Sequence, residues 1–404
     1  MNKLMVLATI SLASNFALAA KWDKVNNPSF FNVIANSPMR FDFTALPLAA
    51  TLKDDRLGWS ETYWPSNKGG IAYRWSSPNP TPFKYKLHPK EEVLRMSEEE
   101  LSQLSPSELY DLAQGDYDYR LTKKVLGKYK AEDAWWEGIC HGWSLAALNY
   151  PEPAKTVVIN KDGVKVPFGS SDVKGLLAMH DAFNSQGMYA RIGGRCKIIG
   201  KVEGEAFPED GPVPPPKAAD ANLPECVDVN AGAFHLVLSN MIGLNSQGFV
   251  ADVDRFNDIW NQPVIAYKSE IVGEVSLSGL DVKNGVSKKI QVKTLMTYGD
   301  ELEFYSEEEV KKGTVGFVSK EPVTGTPAQT NGTKNYEYIL ELDMSGKIIG
   351  GEWITESRPD MLWMKKKDPS FNDGKFMRGV SLSGLNKIYR PVQRPINFHA
   401  SEPE

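Results

Sequence analysis

Apolar and polar positions follow two different periods along the chain, separated by stretches with no period. Residues Leu4–Ala13 are mostly apolar, follow Lys3, and lead into Ala17-Leu18-Ala19. That order, a charge, an apolar run and a small-residue site, predicts a secretory signal peptide over 1–19 with cleavage near Ala20. The run is too short to span a bilayer. Residues 20–90 are rich in proline and carry Trp59, Tyr63, Trp64, Tyr73 and Trp75. They predict an extended arm packed by its aromatics, with a turn at Gly69-Gly70 and a short strand over Ile71–Trp75. Ser97-Glu98-Glu99-Glu100 and Ser105-Pro106-Ser107-Glu108 each place a Glu three residues after a Ser, so two capping boxes start two short helices over 97–113.

Helical spacing returns at Trp143-Ser144-Leu145-Ala146-Ala147-Leu148-Asn149, ended by Pro151. Asp162-Gly163 predicts a hairpin between 156–160 and 164–168. Ser170-Ser171-Asp172 caps a helix over about 173–184. Residues 230–243 read as a strand, with His235, Val237 and Ser239 on one face and Phe234, Leu236 and Leu238 on the other. A second strand follows, Phe249-Val250-Ala251-Asp252-Val253-Asp254, with both aspartates on one face. Beyond it the chain is β-rich: strands over 263–269 and 289–298, then a hairpin of 336–343 and 347–355 across Ser345-Gly346.

The chain has 404 residues, is 41% hydrophobic and 24% charged, and carries a net charge of -5. A sizeable core is available, and the charge gives no basis for nucleic acid or an anionic membrane as a partner. Cys140, Cys196 and Cys226 are the three cysteines. Cys196 and Cys226 flank a proline-rich loop that a disulfide would pin, leaving Cys140 as an odd free thiol in an exported protein.

Cys140 stands just before the helix that begins near Trp143, in Trp135-Trp136-Glu137-Gly138-Ile139-Cys140-His141-Gly142-Trp143-Ser144. Unsatisfied N–H groups at a helix start favour a thiolate, which makes Cys140 a candidate nucleophile. A hairpin of the next two strands would set Asp252 or Asp254 beside His235, and a carboxylate there orients and balances an imidazole base. The order Cys140, His235, then Asp252 or Asp254 is that of papain-like and transglutaminase-like folds. Asp111, Asp116 and Asp118 could hold a hard cation such as calcium, but their spacing is not that of a calcium loop and a solvated acidic turn is the commoner outcome. No paired cysteines or histidines have zinc-site spacing.

Several stretches together resemble the transglutaminase-elicitor family of oomycetes and bacteria. Ile259-Trp260-Asn261-Gln262-Pro263-Val264 resembles the Trp-Asn-Gln-Pro-Val core of that family's surface elicitor epitope, and the chain departs from it after Val264 with Ile265-Ala266-Tyr267. Gly69–Trp75, Gly115-Asp116-Tyr117, Gly138–Ser144, Phe168–Asp172 and Gly350-Gly351-Glu352-Trp353 agree with it. The resemblance implies a secreted or periplasmic protein-glutamine γ-glutamyltransferase: Cys140 as nucleophile, His235 as base, and Asp252 favoured over Asp254 as the acid partner. Glutamine-bearing proteins would be acyl donors and lysine or polyamine the acceptors, with no membrane partner once the signal is removed. The backbone N–H of Cys140 and a Trp indole would hold the oxyanion, with Trp136, Trp143 and Trp75 as the aromatic residues of the cleft. No cofactor is required by these residues.

The expected fold is α+β, a papain-like or transglutaminase-like core with an antiparallel sheet. It divides into the signal (1–19), an N-terminal arm and helices that could act as a cover (20–125), the catalytic core (126–275) and a β-rich part packed on it (276–404). Two other readings share the residues. One is a secreted cysteine peptidase or deamidase, and the other is a binding protein that has lost activity on the same fold.

Overall fold

The computed structural model describes residues 22–392 except 54–57, 76, 78–80, 184–186, 195–227, 254–258, 303–320, 323, 325–328, 367–370 and 372–378. The signal segment, Cys196, Cys226 and Asp254 lie outside the described residues.

Capping boxes start the helices α1 (Glu98–Leu101) and α2 (Pro106–Ala113) as expected: the side chains of Ser97 and Ser105 accept from the backbones of Glu100 and Glu108. Helices α3 (Arg120–Leu126), α4 (Cys140–Asn149), α5 (Ser170–Phe183) and α6 (Ala231–Leu238) follow. The strands are β1 (Ala49–Thr51), β2 (Thr156–Ile159), β3 (Lys165–Phe168), β4 (Met188–Gly193), β5 (Phe249–Asp252), β6 (Asn261–Val275), β7 (Lys288–Gly299), β8 (Asn331–Leu342), β9 (Ile348–Trp353) and β10 (Met361–Lys366). β2 and β3 form a separate hairpin. The main sheet is antiparallel throughout, in the order β4-β10-β5-β6-β7-β8-β9, with β1 added alongside β6.

Two expectations need correction. Residues 70–72 form a 3₁₀ turn, not a strand, because Gly69 and Gly70 both take positive φ and wind the chain too tightly for a ladder. His235 lies on α6, not on a strand. The side chain of Asn230 caps that helix by accepting from Gly232 and Ala233, and a π-helical stretch, Ser239–Leu244, continues it. Residues 231–238 are apolar nearly all round and every one is buried, so alternation and helical spacing read alike there.

The arm packs into both the sheet and the helical part of the fold. β1 is hydrogen-bonded into the main sheet. Trp59, Trp64, Ile71, Tyr73 and Trp75 share one hydrophobic core with Leu109, Leu121, Trp143, Val173 and Leu177. The Arg74 guanidinium clasps Glu108, with Nε at 3.0 Å and Nη2 at 2.6 Å, fastening the arm to the first turn of α2.

A second core lies on the main sheet, built from α6, Phe249, Val264, Val292, Tyr338 and Leu362 among others. The cysteine helix α4 runs between the two. Leu145 packs on the sheet core, while Trp143, Ala146 and Ala147 pack on the helical one. Gly142 makes this possible, since a Cβ there would fall 2.1 Å from the Ala178 carbonyl oxygen on α5. Gly138 does the same one turn earlier, where a Cβ would fall 2.4 Å from the Tyr63 carbonyl oxygen. The two glycines flanking Cys140 therefore fix how closely its helix approaches the arm on one side and α5 on the other.

Candidate active site

Cys140 is the first residue of α4, and its backbone position is set from both sides. The Ile139 N–H donates to the Tyr63 carbonyl at 2.8 Å, and the Trp143 N–H closes the first helical turn on the Ile139 carbonyl at 2.9 Å. Across from it lies the start of β6. The thiol donates to the Ile259 carbonyl at 3.6 Å, and the Asn261 side-chain N–H donates to the sulfur at 3.6 Å. Asn261 is held in turn by the Trp363 indole, whose N–H donates to Oδ1 at 2.8 Å. The sulfur faces a cleft of about 340 Å³, lined by Trp136, His141, Tyr189, Arg191 and Trp363 among others. Trp135, Tyr63 and Trp260 form an aromatic group beside it, with ring centroids 5.8 Å apart for Tyr63–Trp260 and 6.1 Å for Trp135–Trp260.

Asp252 is directly opposite Asn261 in the β5–β6 pair. Opposed residues of antiparallel strands project to the same face with Cβ atoms roughly 5 Å apart, so Asp252 stands on the Cys140 side of the sheet. One of its oxygens accepts from the Trp260 N–H at 3.1 Å, and the residue is fully buried.

The electrostatics oppose a resting thiolate. Burial pushes the Cys140 thiol up to about 11, the carboxylate of Glu301 pushes it further the same way, and Asp252 adds to this. The side-chain and backbone N–H groups of Asn261 act in the opposite direction. The helix start, expected to favour the anion, is opposed by removal of the sulfur from water, which favours the neutral thiol. Burial also holds Glu301 well above the usual carboxylate range. His141, which lines the same cleft, is depressed to about 4 by burial first and by Lys128 second.

His235 is elsewhere. Its Nδ1 is 2.8 Å from the Tyr338 hydroxyl, which continues to Thr294 Oγ1 at 2.7 Å and from there to Ser269 Oγ at 2.8 Å. Nε2 has no hydrogen-bond partner among the described residues, and the ring lies against Phe43 at 5.9 Å. Ser269 is eight residues beyond Asn261 along β6, roughly 25 Å of extended strand at about 3.3 Å per residue. The structure thus brings Asp252 to Cys140 and does not bring His235 there.

The aromatic expectations divide. Trp136 lines the cleft. Trp143 and Trp75 are buried in the helical core, and their indoles donate to the carbonyls of Trp59 at 3.1 Å and Gly70 at 3.3 Å, so neither serves as an oxyanion donor. The residues that sequence reasoning missed are Asn261 and Trp363. Asn261 stood inside the Trp260–Val264 motif, and that match was the available signal; Trp363 had none.

The acidic stretch is also committed. Both Asp111 oxygens accept from the first turn of α3: Oδ1 from Leu121 N, and Oδ2 from Thr122 N and Oγ1, at 2.8–3.0 Å. Asp116 pairs with Arg120 at 2.7 Å and accepts from the Asp118 N–H. Among the described residues, the carboxylates that do converge are Asp281, Glu341 and Glu352. Lys289 already stands among them, 3.1 Å from Asp281 and from Glu352.

The described residues thus form a mixed α/β fold in which a cysteine at a helix start faces an aromatic cleft against an antiparallel sheet. The sequence matches the transglutaminase elicitor family over residues 29–390, and the chain belongs to that family. Its fold is similar to the crystal structure of the GP42 transglutaminase from Phytophthora sojae. The TM-score is 0.60 at 19% identity, covering 90% of this chain and 98% of that one. No curated protein matches the sequence. No helix among the described residues is long and apolar enough to cross a membrane.

Proposed function

We propose that the protein is a secreted protein-glutamine γ-glutamyltransferase whose nucleophile is Cys140. The observation that carries the reading is the seating of that cysteine: first residue of α4, facing an aromatic cleft, in a chain of the transglutaminase elicitor family.

A glutamine side chain is slender and uncharged, which suits a mostly apolar cleft of about 340 Å³. Sγ attacks the carboxamide carbon, and the thiol proton passes to Asp252, the carboxylate that strand pairing sets beside the site. The C–N bond then breaks. The leaving nitrogen takes the proton back from Asp252 and departs as ammonia, leaving a γ-glutamyl thioester. A neutral lysine or polyamine nitrogen attacks the thioester carbon, its proton reaches the departing sulfur by way of Asp252, and an isopeptide bond remains. Trp136, Tyr189 and Trp363 around the thioester limit water and so favour the amine. The scheme runs without a cofactor, and calcium is assigned no step in it.

The test is incorporation of a fluorescent primary amine into a glutamine-rich protein, with and without calcium. Ammonia and new amino termini are measured in the same reaction, and Cys140→Ala serves as the inactive control. Amine incorporation with ammonia release and no new amino termini is expected. New amino termini without ammonia would make the protein a peptidase, and ammonia without amine incorporation a deamidase. Neither product, together with a thiol inert to iodoacetamide, would make it a binding protein.

A further inference from the structure

A negatively charged sulfur at position 140 has poor company. The charged groups that bear on it are the carboxyls of Glu301 and Asp252, and each disfavours the anion. His141, from the same helix turn, is held neutral. Among the described residues, the side chain that donates to the sulfur is Asn261.

The orientation of that amide is not free. Asn261 and Trp363 are 5% and 9% exposed. The Trp363 indole offers a donor and no acceptor, so it can face only the Asn261 oxygen. With the oxygen taken, the NH₂ end must point the other way, at Cys140. Trp363 is itself fixed in the sheet, paired with Val250 on β5 and Arg191 on β4. Turning the amide over would set two donors against each other and leave the sulfur opposite an oxygen.

We infer that Asn261 is the donor that holds the Cys140 sulfur in its charged form, and that Trp363 is a positioning residue that keeps the Asn261 amide turned toward it. This rests on Cys140 being the nucleophile and extends that reading to the strand that faces it. The same donor serves twice in a reaction cycle: when the thiol is deprotonated, and when the thioester collapses and the sulfur leaves as an anion. It also gives the Trp260–Val264 segment a chemical task inside the cleft, apart from any it has as a surface.

The experiment is the pH dependence of iodoacetamide alkylation of the full chain, followed at Cys140 by peptide mass mapping. The chains compared are wild type, Asn261→Ala, Asn261→Asp, Trp363→Phe and the Asn261→Ala/Trp363→Phe pair. The plateau rate at high pH reports access, and the position of the rise reports the thiol. The expected result is a rise displaced to higher pH in both Asn261 variants. Alkylation at a fixed pH below the rise should slow by about tenfold or more, the size expected for one hydrogen bond to a charged group. Trp363→Phe should give a smaller displacement in the same direction and add nothing once Asn261 is alanine. Asn261→Asp keeps the shape and the bond to Trp363 but adds a charge, so Trp363→Phe carries the test if the alanine variant fails to fold. An unmoved profile in the Asn261 variants would overturn the inference, as would a Trp363→Phe effect of equal size with and without Asn261. Amine incorporation by the wild type is scored separately. If it is absent while the profile moves, the acyl-transfer reading falls and this one stands; if it is present while the profile stays, the reverse holds.

Discussion

His235 and Tyr338 share a buried hydrogen bond of 2.8 Å between α6 and β8. It is the first link of a chain of side chains that runs through Thr294 on β7 to Ser269 on β6. This places the histidine in the load path of the sheet core, away from the cysteine. Replacing His235 with Asn should therefore leave amine incorporation per folded molecule within about threefold of wild type. Stability should fall by roughly 1–3 kcal/mol, because the Tyr338 hydroxyl loses a partner and a buried ring is lost. Turnover and a denaturant titration on the same preparation check this; a drop in turnover of several orders at unchanged stability would return His235 to the mechanism.

Acid should reveal the same residue. Burial lowers His235 from 6.5 to about 4, and His141 likewise. The folded state then binds fewer protons than the unfolded state between those values, so stability is full above about 6.5 and is lost as pH falls toward 4. For the fully buried His235 the loss over that window is up to ~3 kcal/mol. Thermal unfolding from pH 7.5 to 4 should show a steeper decline in wild type than in His235→Asn, with the remaining slope reduced by His141→Asn.

Asp252→Asn should reduce turnover by about 10²–10⁴-fold, the range for loss of a positioned acid–base group. It should leave the fold intact, since Asn still accepts the Trp260 N–H. A loss below tenfold in steady-state turnover would remove Asp252 as the proton carrier.

Glu301→Gln should act in the other direction on the thiol. Its carboxylate is the largest charge effect holding Cys140 protonated. Burial favours its neutral form, so the charge develops only as pH rises; replacing it should shift the upper part of the alkylation profile to lower pH and speed reaction with iodoacetamide there. An unchanged or slower rate would show that the Glu301 charge does not reach the sulfur.

Lys174 on α5 is fully buried. Its ammonium lies 2.8 Å from Glu152 and 4.0 Å from Glu61, and donates to the Ser60 carbonyl at 3.1 Å. Lys174→Met should cost about 3–5 kcal/mol, because it strands buried carboxylates rather than because the ion pair itself is strong. Adding Glu152→Gln should recover part of the loss. Urea midpoints of the single and double variants decide the point.

Proteolysis between Lys123 and Lys130 should not activate the protein. Leu121 and Val125 of α3 are fully buried, and Tyr129 packs against the Gly70 turn. A cut there should lower the melting temperature, and activity measured during limited trypsin digestion should fall with it. A rise would restore the arm as a removable cover.

The sequence by itself determined what short-range chemistry decides. Both capping boxes, the Asp162-Gly163 hairpin, the helix of His180, the strands after residue 261 and the place of Cys140 at a helix start all follow from side chains acting within a few residues of themselves. Family membership was legible for a similar reason, since short motifs such as Gly138–Ser144 keep their spacing whatever the rest of the chain does. The tertiary structure decided the partners. Asp252 and Asn261 meet because β5 and β6 pair in one register, and Trp363 joins them from more than a hundred residues away because β10 inserts between β4 and β5. His235 left the site because a segment apolar on every side has no periodicity to choose strand over helix; burial in the core between α6 and the sheet made that choice. The proton affinity of Cys140 was equally out of reach of local reading. A helix start favours the anion, but the sheet and the arm that close over the sulfur remove its water, and that desolvation favours the neutral thiol.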